Sequence, residues 1–153
     1  MEVSHTDPER PAWQVRISPA RTAPGGDIAE GDPAGGGVWV GGRWVLTCAH
    51  VLNPPPPVLI DFTFAEGPAI PATIVDWIPD EDLTLLELAD PPPPQARPAP
   101  LRSGRGVIGH PCLTFGYPRG YEDGVWSRLT IAGLTGGSLF QVTSRIAHDH
   151  PIE

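Results

Sequence analysis

Two runs of four prolines, Pro54–Pro57 and Pro91–Pro94, cut the chain into three stretches, because neither a helix nor a sheet ladder continues through such a run. Between the cuts, short apolar bursts alternate with further prolines and glycines, 21 and 18 in all. Both residues are poor in helix interiors and useful in turns between short strands, so the pattern points to an all-β fold. With 40% hydrophobic residues among 153, the chain can fill one complete small barrel and part of another.

Alternating apolar and polar residues, enriched in β-branched and aromatic types, predict strands at Trp13–Ile17, Gly37–Val40 and Arg43–Cys48, with Gly41-Gly42 as the hairpin turn between the last two. Ser18–Gly36 reads as a long surface loop. Further strands are expected at Val58–Phe64, Ala69–Ile78 and Leu83–Leu88, with an edge or bulge at Pro71. Six strands suffice to close a barrel and remove its exposed edges. The proline-rich stretch Ala89–Gly109 has few apolar anchors and reads as a stiff, solvated linker. Three more strands follow at Pro111–Tyr117, Val125–Leu134 and Leu139–Ile146, too few for a second barrel. The expected organisation is therefore a first β-barrel over 1–88, an interdomain linker over 89–109 and a partial second barrel over 110–153.

Chemistry concentrates in two segments. In Gly37–Leu52, GVWVGGRWVLTCAHVL, two strands deliver His50 just past the end of the second, at a barrel rim. In Asp82–Leu88, DLTLLEL, a carboxylate opens an apolar strand, where it can be buried and still reach an imidazole. These residues resemble the histidine and aspartate motifs of the trypsin-like, chymotrypsin-fold serine proteases, Thr-Ala-Ala-His and Asp-x-Ala-Leu-Leu. Thr47, Ala49 and His50 match the first, with Cys48 in place of an alanine. Asp82, Leu85 and Leu86 match the second, with Thr84 in place of an alanine. Leu113–Tyr117, followed by Pro118 and Gly120, resembles the start of the family's second barrel. The resemblance implies a double β-barrel, with His50 as general base and Asp82 as the group that orients it and stabilises the imidazolium.

The family's nucleophile stands in a Gly-x-Ser-Gly turn, and none of Ser4, Ser18, Ser103, Ser127, Ser138 and Ser144 is set in one. The expectation is a serine-type endopeptidase lacking its serine by truncation, just downstream of a strand such as Phe140–Ile146, and inactive on its own. Its partners would then be a protein or peptide substrate, the missing C-terminal segment and attached domains. The alternative is a pseudoprotease in which the first barrel persists as a protein-binding scaffold.

Other function classes find little support. All ten basic residues are arginine and scattered, and the net charge is −8, so no basic stripe is available for nucleic acid. No apolar run is long enough to span a membrane. The N-terminal Met1–Arg10 is polar, without the apolar stretch of a secretory signal, and Cys48 and Cys112, assigned to different barrels, read as free buried thiols. Together these suggest a cytoplasmic protein, like the bacterial intracellular trypsin-like domains attached to signalling or defence proteins. His148 and His150, with His110 or Cys112, match no tetrahedral zinc spacing and read as a polar chain end, so neither metal nor cofactor is expected. Trp39, Trp44, Trp77 and Trp126 are expected to fill or cover barrel interiors, and the proline runs to stiffen loops rather than dock to partners.

Overall fold

The computed structural model describes residues 10–52, 57–136 and 139–144. Seven strands form the first sheet: β1 (Gln14–Thr22), β2 (Ile28–Glu30), β3 (Gly35–Gly41), β4 (Trp44–Thr47), β5 (Val58–Phe62), β6 (Ile70–Ile78) and β7 (Leu83–Leu88). They run in the order β2-β1-β3-β4-β7-β6-β5, and a further pairing of β1 with β5 closes six of them into an antiparallel barrel. The remaining strand, β2, is an appendage on β1. At the seam Arg16 and Asp61 stand opposite each other and form an ion pair at 3.2 Å.

Inward positions alternate as a half-buried strand requires. Val15 and Ile17 of β1, Val45 of β4, Ile60 of β5 and Leu86 and Leu88 of β7 are fully enclosed. Trp39 and Phe62 meet edge to face across this core, 5.8 Å between ring centres. Gly37 has to be glycine here, since a Cβ would lie 2.9 Å from the Leu46 carbonyl oxygen and 3.0 Å from the Ile17 side chain. At the β3–β4 hairpin Gly41 and Gly42 both adopt positive φ, at 114° and 55°.

The second sheet consists of β8 (Pro111–Gly116), β9 (Val125–Thr135) and β10 (Leu139–Ser144), in the order β10-β9-β8. It is the beginning of a second barrel, left open, with Leu134, Phe140 and Val142 exposed. Phe115 and Trp126 pack on Phe64 at the corner of the first barrel, and the Tyr117 hydroxyl hydrogen-bonds to Thr63 Oγ1.

Several expectations need correction. Ser18–Gly36 is not all loop: β1 continues to Thr22 and β2 pairs back on it, with Ala20 opposite Glu30. Beyond Pro19 the strand leaves the barrel, so backbone pairing holds it and no apolar alternation marks it in the sequence. Trp39 is interior, but Trp44, opposite Glu87, lies on the outer face, and Trp77, opposite the buried Thr84 at the end of the barrel, is left as open, both being 40% exposed. The β6 bulge falls between Ile74 and Asp76, not at Pro71. The 89–109 stretch contains no strand, yet it is anchored: Ala96 is buried in the first core, and the Ala99 N–H donates to the Trp39 carbonyl. Cys48 and Cys112 are free, as expected, but Cys48 is exposed and Cys112 half-buried. His148, His150 and the end of the strand predicted to Ile146 lie outside the described residues. Among the described residues no helix is long and apolar enough to cross a membrane.

Candidate active site

The register of two neighbouring strands assembles the site. Thr47, the last residue of β4, stands opposite Thr84 near the start of β7, so the chain leaving β4 passes beside the chain entering β7. The first continues as a 3₁₀ turn, Ala49–Leu52, which carries His50. The second arrives from another, Pro79–Glu81, which Asp82 terminates in the left-handed conformation at φ 51°, its N–H donating to the Pro79 carbonyl. Aspartate is among the few residues that adopt this backbone without a large penalty. The reversal turns the carboxylate toward His50.

Both oxygens of Asp82 are engaged by that one residue. The His50 backbone N–H donates to Oδ1 at 2.9 Å, and ring Nδ1 lies 2.7 Å from Oδ2. The carboxylate accepts only, so the neutral ring carries its proton on Nδ1 and presents a lone pair on Nε2. The bond from the His50 backbone N–H, and then the ring bond, hold the Asp82 carboxyl below the usual carboxylate range. The Cys48 thiol adds a smaller push in the same direction.

The pair is more open than expected for a buried acid: the His50 and Asp82 side chains are 71% and 49% exposed. Both ride on 3₁₀ turns at the rim, outside the closed core. They line a cleft whose far wall is β8 and the residues after it, Phe115–Pro118, and whose floor includes Gly35–Val38. Cys48 is the feature that sequence reasoning missed. Taken as a buried thiol, it instead stands in the site, where its only signal was an atypical residue inside the histidine motif.

Behind the pair lie two buried threonines with different fates. The Thr47 hydroxyl donates to the Gly36 carbonyl at 2.9 Å, tying the end of β4 to β3. The Thr84 hydroxyl is also buried and has no hydrogen-bond partner among the described residues. Thr47→Val is therefore expected to cost about 1–3 kcal/mol by leaving a carbonyl unsatisfied, while Thr84→Val is neutral or stabilising. Urea unfolding of the two variants checks the contrast, and equal losses at both positions would contradict it.

With this geometry in view, comparison with known proteins becomes informative. Residues 35–151, more than half of the chain, match the trypsin-like peptidase domain. The chain belongs to that family. No curated protein sequence matches it significantly. Among solved structures, the HtrA-type protease AlgW with a decapeptide superposes with a TM-score of 0.67 at 18% identity, over 89% of this chain and 50% of that one. The MamO protease domain from Magnetospirillum magneticum, in its apo form, superposes at 0.61 with 19% identity, over 92% of this chain and 71% of that one. At these identities the likeness is one of fold, the chymotrypsin-like double barrel. The chain spans half the length of the HtrA-type protease.

Proposed function

We propose that this chain carries the base and the orienting carboxylate of a trypsin-like serine endopeptidase whose nucleophile lies outside these 153 residues. The observation that carries the reading is the clasp of Asp82 on both the backbone N–H and ring Nδ1 of His50. It supports the tautomer with the proton on Nδ1, which leaves the Nε2 lone pair free to serve as a base.

In the proposed reaction Nε2 takes the proton of a serine hydroxyl as its oxygen attacks the peptide carbonyl. Asp82 stabilises the resulting imidazolium without itself being protonated, and Nε2–H then protonates the departing amine to leave an acyl-enzyme. Water, activated by the same nitrogen, releases the acid. The cleft that His50 and Asp82 share with Phe115–Pro118 is where a peptide substrate would lie. The decapeptide in the HtrA-type structure supports a peptide as the ligand class.

The test is a chain extended through its natural downstream sequence and treated with a serine-directed fluorophosphonate. Covalent labelling of a single serine, set in a Gly-x-Ser-Gly turn, is the expected result. A folded extended chain that takes no label would overturn the enzyme reading in favour of a binding scaffold.

A further inference from the structure

The cleft holds a third reactive side chain that proton transfer does not use. Cys48 Sγ, a ring nitrogen of His50 and a carboxylate oxygen of Asp82 all lie within 4.8 Å of one another, and all three residues are exposed. Sulfur, imidazole nitrogen and carboxylate oxygen are the donors that a borderline-soft divalent ion collects. We propose that Cys48, His50 and Asp82 form a binding site for Zn²⁺ or a similar ion, with water in the fourth position.

The geometry is within reach. Tetrahedral zinc with bonds of about 2.0–2.3 Å sets its donor atoms roughly 3.3–3.6 Å apart. The Nδ1 to Oδ2 distance of 2.7 Å has to open slightly, and the sulfur has to approach by at most about an ångström. Side chains on an exposed rim make such shifts by small rotations. Charge also fits, since a thiolate and a carboxylate together balance a divalent cation. Without the ion the thiolate is disfavoured: partial burial is the first cause that pushes the Cys48 thiol up, and the Asp82 charge adds to it.

The protons balance as follows. Binding needs a lone pair on Nδ1, so the proton that Nδ1 shares with Asp82 moves, through solvent, to Nε2. Cys48 loses its proton to solvent as the sulfur–metal bond forms. One proton is released per ion, and no electron changes hands. The imidazole that results carries N–H at Nε2, where a base needs its lone pair. Metal binding and general-base work thus exclude each other at one ring. This last consequence rests on the peptidase reading, whereas the metal site does not.

Titrating the 153-residue chain with Co²⁺ tests the site without any activity assay. A thiolate-to-cobalt charge-transfer band should appear, displaced by Zn²⁺, with one proton released per ion. Cys48→Ala should remove the band and weaken Zn²⁺ binding by more than the roughly 10–100-fold that loss of even an outer-shell partner costs. Cys112→Ala should keep both. On adding Zn²⁺, nitrogen-15 spectra of the His50 ring should show the proton pass from Nδ1 to Nε2. A missing band, a band that follows Cys112 instead of Cys48, or a zinc-loaded chain whose His50 keeps its Nδ1 proton would each refute the site. If the extended chain fails to react with the fluorophosphonate while the cobalt band persists, the peptidase reading falls and the metal site stands.

Discussion

On the proposed peptidase reading, replacing His50 with alanine in a chain extended to include the nucleophile is expected to lower kcat by about 10⁶, and Asp82→Asn by about 10⁴, with little change in KM. The first variant removes the proton acceptor. The second is the more discriminating, because it leaves the shape of the site intact. An asparagine oxygen can replace Oδ1 in accepting the His50 backbone N–H, now at 2.9 Å. That places the amide NH₂ where Oδ2 was, 2.7 Å from Nδ1. A donor there demands a lone pair on Nδ1 and drives the ring proton to Nε2, so the base is present, correctly placed and in the wrong tautomer. Asp82→Asn at near-native rate would mean that the carboxylate only caps the Ala49–Leu52 turn, by accepting the His50 backbone N–H. Combining it with His50→Ala gives a further check: residues that act as a unit lose no more together than His50 loses alone.

The pairing of position 50 with position 82 was legible because two motifs, each weak alone, occur in the order and strand context that bring them together. Both motifs sit at strand ends, and the Thr47–Thr84 register carries them the rest of the way. The barrel was legible for a similar reason, since period-two alternation survives wherever one strand face is buried. It fails where that condition fails. The end of β1 beyond Pro19 and β2 pair with each other outside the closed barrel, so backbone hydrogen bonds hold them and no alternation marks them in the sequence. Trp44 and Trp77 misled in the opposite sense: an aromatic ring in a strand shows β-propensity as readily as burial, and both are 40% exposed. The environment of Cys48 had no local signal beyond its being an atypical residue in the histidine motif. Its neighbour Asp82 arrives from the far side of β7, and the left-handed turn that aims it toward residues 48–50 is a backbone choice that a sequence of polar residues does not announce.

Leu86→Ala is expected to destabilise the fold by about 2–5 kcal/mol, a large loss in the strand that follows Asp82. Leu86 is completely enclosed and stands between Val45 of β4 and Ile74 of β6, so removing its methyl groups leaves a cavity the barrel wall cannot collapse around. Leu83, at the solvent face of the same strand and 37% exposed, should lose far less on the same truncation. The comparison tests register as well as packing, because side chains alternate faces and a slip of one residue would move Leu83 and Leu85 inward and Leu86 outward. In urea, Leu86→Ala should lower the midpoint with the slope unchanged, while Leu86→Met, which roughly conserves volume, should cost less than about 1.5 kcal/mol. The reverse ranking, with Leu83→Ala the more damaging, would place β7 one residue out of register. Asp82 would then point away from His50, and both the clasp and the metal site built on it would be lost.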